Sequence, residues 1–241
     1  MGLQPEHSHH ESGPGQNEVC FRYAPAVKSA DNLNTFKSAV KAIAARNGLY
    51  ASFMPKPLHD QSGNGLHVNM SLMRDGKNLF EGPLTPDSEA GHFVAGILAH
   101  ARELTAFCNP VPNSYARLGA NEAPLYISWS RQNRSQLVRL PSASGDLCRV
   151  ELRGPDPAGN PYLVIGLILA AGLDGIARKL PLAEPVNRNL FHPSAAVGLE
   201  SLPRTLREAI TVAAQSDFIA AELPLALQNK YFEYQTQLCH H

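Results

Sequence analysis

The sequence is poor in the features that would place it in several large functional classes. Cysteine is scarce: Cys20, Cys108, Cys148 and Cys239 stand far apart, in no metal-binding or redox spacing. A disulfide framework is therefore not expected, and reduced thiols in a cytoplasmic protein fit better. Neither sign of charge is in excess, with 21 Lys+Arg against 21 Asp+Glu, so no overall basic field points to nucleic acid. Long hydrophobic runs are missing too. The longest, Tyr162 to Leu173, falls short of the roughly 20 residues that span a bilayer, and the polar N-terminus has no apolar signal-peptide core. No repeat, low-complexity segment or linker divides the chain. These absences leave the expectation of a soluble globular protein with no nucleic-acid or membrane partner.

What is present is a mixture of helical and strand periodicities. "DNLNTFKSAVKAIAARNG" predicts an amphipathic helix, with Asp31 as cap, Leu33, Phe36, Val40, Ile43 and Ala44 as its stripe and Gly48 at its end. Further helices are predicted at about Ser88 to Phe107, Asn160 to Leu180 and Pro203 to Gln215, the last with proline in its first turn. Strands are predicted at "EVCFRY", "SFM", "GLHVNMSL", "LYISWS", "LVRLP" and "CRVELR", and a hairpin at "MRDGKNLF" with Asp75-Gly76 at its turn. Strands and helices do not alternate regularly. The expected class is α+β, a largely antiparallel sheet with helices packed on one face. Proline-rich "KLPLAEPVNRNLFHPSAAVG" reads as a surface excursion.

Polar residues of useful chemistry collect in four places. In "GLHVNMSL" the period of two sends Leu66, Val68, Met70 and Leu72 to one face and His67, Asn69 and Ser71 to the other. In "CRVELR" it sends Arg149, Glu151 and Arg153 away from Cys148, Val150 and Leu152. Both polar faces read equally as solvated sheet; if they share a sheet, they gather a histidine, a carboxylate and two guanidiniums. "SHHESGPGQNE" places Glu11 and Glu18 on either side of Gly13-Pro14-Gly15. A tight reversal there brings two carboxylates together, which requires a proton or cation between them; the alternative is a solvated terminus. Oxygen ligands with at most one histidine suit Mg2+ or Mn2+ better than zinc. His7, His9 and His10 are weaker ligand candidates, because their spacing commits them to no common face, and His240 and His241 read as a tail. Arginines form the fourth group: Arg117 with Glu122 in "NSYARLGANEAP", and Arg131, Arg134 and Arg139 in "SRQNRSQLVRLP". They are either solvated surface residues or, if convergent, a receptor for a multiply charged anion. Gly63 and Gly65 would let backbone approach such a ligand. Together these groups point towards phosphoryl transfer from a nucleotide.

At these residues the chain resembles the glutamine synthetase family, specifically the C-terminal part of its catalytic domain. Five motifs occur in the family's order: "SHHESGPGQNE", "FMPKPL...GNGLHVNMSL", "NSYARLGANEAP", "NRSQLVRLP" and "RVELRGPDPAGNPYL". The resemblance implies that Glu11 and Glu18 ligate one metal and that His67 and Glu151 ligate a second, Mg2+ or Mn2+ in each case. It implies ATP contacts for Glu6, Tyr23, Asn69, Ser71, Arg139 and Arg149, and glutamate contacts for Ser62, Gly63, Arg117 and Arg153. Arg134 matches an arginine that stabilises the transferred phosphoryl group, and Glu122 an acid that closes the site and deprotonates ammonium. The implied reaction joins glutamate and ammonia at the expense of ATP through a γ-glutamyl phosphate, in a homo-oligomeric ring.

The departures shape the expectation. Met1 stands five residues before Glu6, so the family's N-terminal β-grasp domain and two further metal-binding glutamates are not in this sequence. Residues 1–241 are expected to be a partial catalytic domain, with 181–241 as its C-terminal helical extension. The chain then reads as an expressed fragment or a truncated gene product, inactive by itself. Ser62 replaces a frequent asparagine, and Phe191 stands where some bacterial members carry an adenylylatable tyrosine. Two rival readings keep the fold: a γ-glutamyl ligase for an amine or polyamine, and a non-catalytic nucleotide-binding fragment.

Overall fold

The computed structural model describes residues 1–239; the expected tail, His240 and His241, lies outside them. The chain opens with a hairpin, β1 (Pro5–His10) and β2 (Asn17–Phe21), followed by helix α1 (Ala26–Arg46). Three short strands come next: β3 (Val68–Met70), β4 (Met73–Arg74) and β5 (Lys77–Asn78). Helices α2 (Glu89–Ala99), α3 (Ala101–Cys108) and α4 (Pro112–Tyr115) precede strands β6 (Trp129–Ser130), β7 (Val138–Arg139) and β8 (Val150–Leu152). Helix α5 (Pro161–Arg178) is separated by an extended stretch from α6 (Leu206–Ala214), α7 (Asp217–Glu222) and α8 (Leu225–Leu238).

The central sheet has the order β3-β8-β7-β6. β3 and β7 pair antiparallel with β8, whereas β6 and β7 run parallel. Within this sheet β6, β7 and β8 follow one another between Trp129 and Leu152, and only β3 comes from a distant part of the chain. The α+β class stands. One face of the sheet, with Val138, Val150 and Leu152 wholly or almost wholly buried, packs into a core with Phe93, Ile97, Phe107, Val164 and Ile168. The other face carries Asn69, Arg139 and Glu151.

Most predicted strands are shorter than expected, and "SFM" is irregular backbone. Helix α1 starts upstream of the expected cap: Pro25 precedes it, and Asp31 instead accepts a hydrogen bond from the Tyr162 hydroxyl of α5 at 2.7 Å. Pro203 lies before α6, which Thr205 caps by accepting from the Glu208 N–H. The Asp75-Gly76 turn forms as expected, with φ of 51° and 74°, the left-handed pair a two-residue hairpin needs. The proline-rich excursion is tied down by the Val186 N–H on the Trp129 carbonyl at 2.9 Å and by buried Leu182 and Leu190.

Helix α5 is long and apolar enough to cross a membrane by length and composition, yet it is a packed core helix. Asn160 caps it, Pro161 occupies its first turn, and Val164, Leu167, Ile168, Ala171 and Gly172 are buried. It crosses α2 at very short range. A Cβ built on Gly96 would lie 2.1 Å from the Ala171 carbonyl oxygen, and one on Gly175 would lie 2.2 Å from that of His92. Alanine normally favours a helix over glycine by about 1 kcal/mol. Here the obstacle is backbone, which cannot swing aside, so overpacking wins. Gly96→Ala is expected to destabilise the chain by about 1–3 kcal/mol in denaturant unfolding, despite its better helix propensity.

The expected single helix from Ser88 to Phe107 is broken at His100, where α2 ends and α3 begins. The buried His100 ring places Nδ1 2.7 Å from Glu103 Oε2 and Nε2 2.9 Å from Asp174 Oδ2, and stacks on Phe218 at 3.9 Å between centroids. Both ring nitrogens face carboxylates, which only the imidazolium satisfies by donating twice. Burial opposes the charge, but the hydrogen bonds to Glu103 and Asp174 outweigh it and raise the pKa. The stabilisation is then complete below the ordinary value of about 6.5 and is lost as pH rises through the raised one. The stability advantage of the wild type over His100→Gln, measured by denaturant unfolding, should shrink as pH rises above about 6.5.

Candidate active site

The site is built on the polar face of the central sheet. Asn69 of β3 and Arg139 of β7 are the direct register partners of Glu151 on β8, one on each side. Glu151 is 7% exposed, and an isolated carboxylate at that depth would be costly. Three groups offset it. Arg139 Nε lies 2.8 Å from Glu151 Oε2, Arg153 Nη1 3.2 Å from Oε1, and His67 Nδ1 3.4 Å from Oε1. The Arg139 approach is close but not aligned as a hydrogen bond, so Arg139 Nε and Glu151 Oε2 are both buried without a hydrogen-bond partner.

His67 is the neutral member of this group. Burial, then the charges of Arg153, Arg117, Arg139 and Arg134, push its pKa down to about 3. A neutral imidazole beside a carboxylate whose second oxygen, Oε2, lacks a hydrogen bond is a donor set that fits a divalent cation. Gly65 makes the approach possible, since a Cβ there would sit 2.7 Å from Arg117 Nη2 and 3.0 Å from His67 Nε2.

The β1-β2 hairpin supplies a second donor set. His9 and Glu18 are register partners, so their side chains leave the same face. Glu11 follows at the turn. His9 Nε2 lies 3.0 Å from Glu11 Oε1 and 4.0 Å from Glu18 Oε2, and one ligand atom from each residue falls within 4.8 Å of the others. Two carboxylates and one imidazole fit a hard cation. His9, discounted in the sequence, therefore joins Glu11 and Glu18. Cys20 also borders the set, its thiol donating to Glu18 Oε1 at 3.2 Å. Burial first, with the Glu18 hydrogen bond and charge, raises that thiol to about 12.

Gln16, which the sequence reading did not name, fastens the hairpin turn to the rest of the site. Its side-chain amide donates to the Gly63 carbonyl and to Asn64 Oδ1, both at 2.9 Å, and accepts from the Gly13 N–H. Gly63 has no room for a side chain: a Cβ would lie 2.5 Å from the Pro55 carbonyl oxygen and 3.1 Å from Arg117 Cγ. Arg117 is buried and donates to the Gly154 and Arg153 carbonyls at 2.8 and 3.2 Å. Burial lowers its pKa to about 10, which leaves the guanidinium charged at neutral pH.

A loop over the sheet carries Glu122. Gly119, Asn121 and Glu122 all have positive φ, of 82°, 46° and 69°, a conformation side-chain-bearing residues adopt at a cost. Asn121 Nδ2 donates to the Gln61 carbonyl at 3.1 Å, and Arg153 Nη2 reaches the Glu122 carbonyl at 3.5 Å. The Glu122 carboxylate lies 3.8 Å from Arg134 Nη1, with both side chains more than half exposed. Arg149 donates to Asn69 Oδ1 at 3.1 Å. Glu6, Ser62 and Ser71 have no side-chain hydrogen bond among the described residues, and Tyr23 is 72% exposed. Arg131 has no salt bridge among the described residues either.

The arrangement is a cation-ready pair of donor sets beside five arginines, Arg117, Arg134, Arg139, Arg149 and Arg153, with a strained acidic loop next to them. A family profile described as glutamine synthetase, catalytic domain, matches residues 1–238. The glutamine synthetase of Methanosarcina mazei is 51% identical over 231 residues, covering 92% of this chain and 52% of the relative. That of Staphylococcus epidermidis is 46% identical over 239 residues, covering 96% and 54%. The chain thus spans about half the length of these curated relatives. Among solved structures, a GmaS/ADP complex aligns with a TM-score of 0.90 at 36% identity, covering 99% of this chain and 57% of that one. Plasmodium falciparum glutamine synthetase aligns with a TM-score of 0.86 at 28% identity, covering 98% and 56%. With the family profile spanning almost every residue and a relative of that name 51% identical to this chain, the chain belongs to the glutamine synthetase family, within its catalytic domain.

Proposed function

We propose that the protein of which this chain forms the catalytic half joins glutamate and ammonia to make glutamine, using ATP. The observation that carries this reading is the buried Glu151, gathered with His67, Arg139 and Arg153 in a chain 51% identical to a glutamine synthetase. Residues 1–241 are read as part of the catalytic domain, with 181–241 as a helical extension. The full-length protein is read as a cytoplasmic homo-oligomer.

Glu11 and Glu18, with His9 beside them, would hold one Mg2+ or Mn2+, and His67 and Glu151 the other. When bound, these cations neutralise phosphate charge and polarise the transferring group. The chain's own groups do the rest. Arg117 and Arg153, both buried and charged, receive the glutamate carboxylate, and the tight loop at Ser62 and Gly63 shapes that pocket. Arg139 and Arg149, with Asn69, Ser71 and Glu6, receive the nucleotide, and Tyr23 offers its ring to the base. A glutamate γ-carboxylate oxygen attacks the terminal phosphorus and ADP leaves, giving an acyl phosphate. Arg134 stabilises the charge that develops on the moving phosphoryl group. Glu122 accepts a proton from ammonium, and the ammonia formed attacks the acyl carbon and expels phosphate. The GmaS neighbour was solved with ADP, in keeping with a nucleotide at this sheet.

Two measurements test the reading. In a polypeptide of the relatives' full length that includes this chain, Arg134→Ala is expected to cut glutamine formation by roughly 100-fold or more. ATP hydrolysis without glutamine formation, or full activity in that variant, would overturn the assignment. On the chain itself, Mn2+ binding followed by electron paramagnetic resonance should weaken at least about tenfold in Glu18→Gln, since even outer-shell changes cost about 10–100-fold.

A further inference from the structure

The hairpin face that carries Glu18 carries more ligand chemistry than the glutamine-forming reaction uses. Cys20 is the register partner of His7, as Glu18 is of His9. Direct cross-strand partners leave the same face with Cβ atoms about 4.5–5.5 Å apart. His7, His9, Glu18 and Cys20 therefore form one block of soft and borderline ligands, and the two imidazoles already stack at 5.9 Å. Glu18 sits between the two chemistries, with Oε1 3.2 Å from the Cys20 sulfur and Oε2 4.0 Å from His9. His7 is exposed, so its ring is free to turn towards its partner.

We propose that Cys20, Glu18 and His7 form a second metal site on this hairpin, one that takes a soft divalent cation such as Zn2+ or Cd2+. Thiolate, imidazole and carboxylate are the ligand types zinc prefers, and tetrahedral bonds to them place ligand atoms about 3.5 Å apart. The 3.2 Å between the Cys20 sulfur and Glu18 meets that spacing before any movement. Binding releases the thiol proton to solvent and leaves the metal's oxidation state unchanged. Because Glu18 belongs to both donor sets, a soft cation there removes a carboxylate from the Mg2+ or Mn2+ set. The other thiols are placed differently: Cys108 and Cys148 are buried in the core, and Cys239 lies at the end of α8.

The site shares Glu18 with a cation set of the ligase reading but does not depend on that reading, and the test separates them. Co2+ and then Cd2+ are titrated into the reduced, metal-free 241-residue chain, and thiolate-to-metal charge-transfer absorption is followed. Wild type should develop the band with one equivalent, Cys20→Ser should lose it, and His7→Gln should bind at least about tenfold more weakly. Mn2+ binding should survive in both variants. A band that persists in Cys20→Ser, no band in the wild type, or an unchanged affinity in His7→Gln would each overturn the proposal. Loss of Mn2+ binding in the wild type with the band intact would instead count against the ligase reading alone.

Discussion

The burial of one carboxylate constrains the rest of this molecule. Glu151 sits on an inner strand of a four-stranded sheet, shielded from water, and its charge has to be met by neighbours that the fold delivers. Arg153 comes from the same strand's end, Arg139 from the adjoining strand and His67 from the run leading into the opposite one. A sheet in the order β3-β8-β7-β6 is what brings these three segments to one carboxylate. Two guanidiniums against one carboxylate leave the group net positive, so its open side attracts anions. Burial first, and that same surplus after it, keeps His67 neutral and able to bind a cation. One arrangement thus prepares both kinds of ligand.

The second half of the site hangs on much less. The β1-β2 hairpin has an exposed first strand, and its turn is held to the 63–64 loop through one side chain, Gln16. That loop in turn is pinned by contacts a side chain at Gly63 would destroy. The glycines of the site and of the α2-α5 crossing therefore serve a common end. Each lets backbone or a guanidinium stand where a methyl group would otherwise be.

Much of this was legible in the sequence, for identifiable reasons. The period of two in "GLHVNMSL" and "CRVELR" separated the core face from the chemical face correctly, because a strand's geometry leaves no choice. The pairing of those strands was not legible, since Asn69 and Glu151 are register partners only by virtue of the tertiary fold. His9 was discounted because "PEHSHH" lacks apolar alternation and did not read as a strand. It becomes one by pairing with β2, and that pairing aims His9 at Glu18. The break at His100 carries no proline or glycine; buried ion pairing and a ring stack decide it. Helix α8 lies within the stretch that the resemblance implied to be a helical extension, but no periodicity marked its bounds. Its hold on the core is two aromatic residues, Tyr231 and Phe232, set against Phe107.

The loop at Asn121 and Glu122 has a consequence of a different kind. Two consecutive non-glycine residues in left-handed backbone cost of order 1–3 kcal/mol each, and the contacts holding them are few and mostly through main-chain carbonyls. The loop is therefore a place where the fold holds conformational energy, offset by hydrogen bonds to main-chain carbonyls and not by a buried side chain of Asn121 or Glu122.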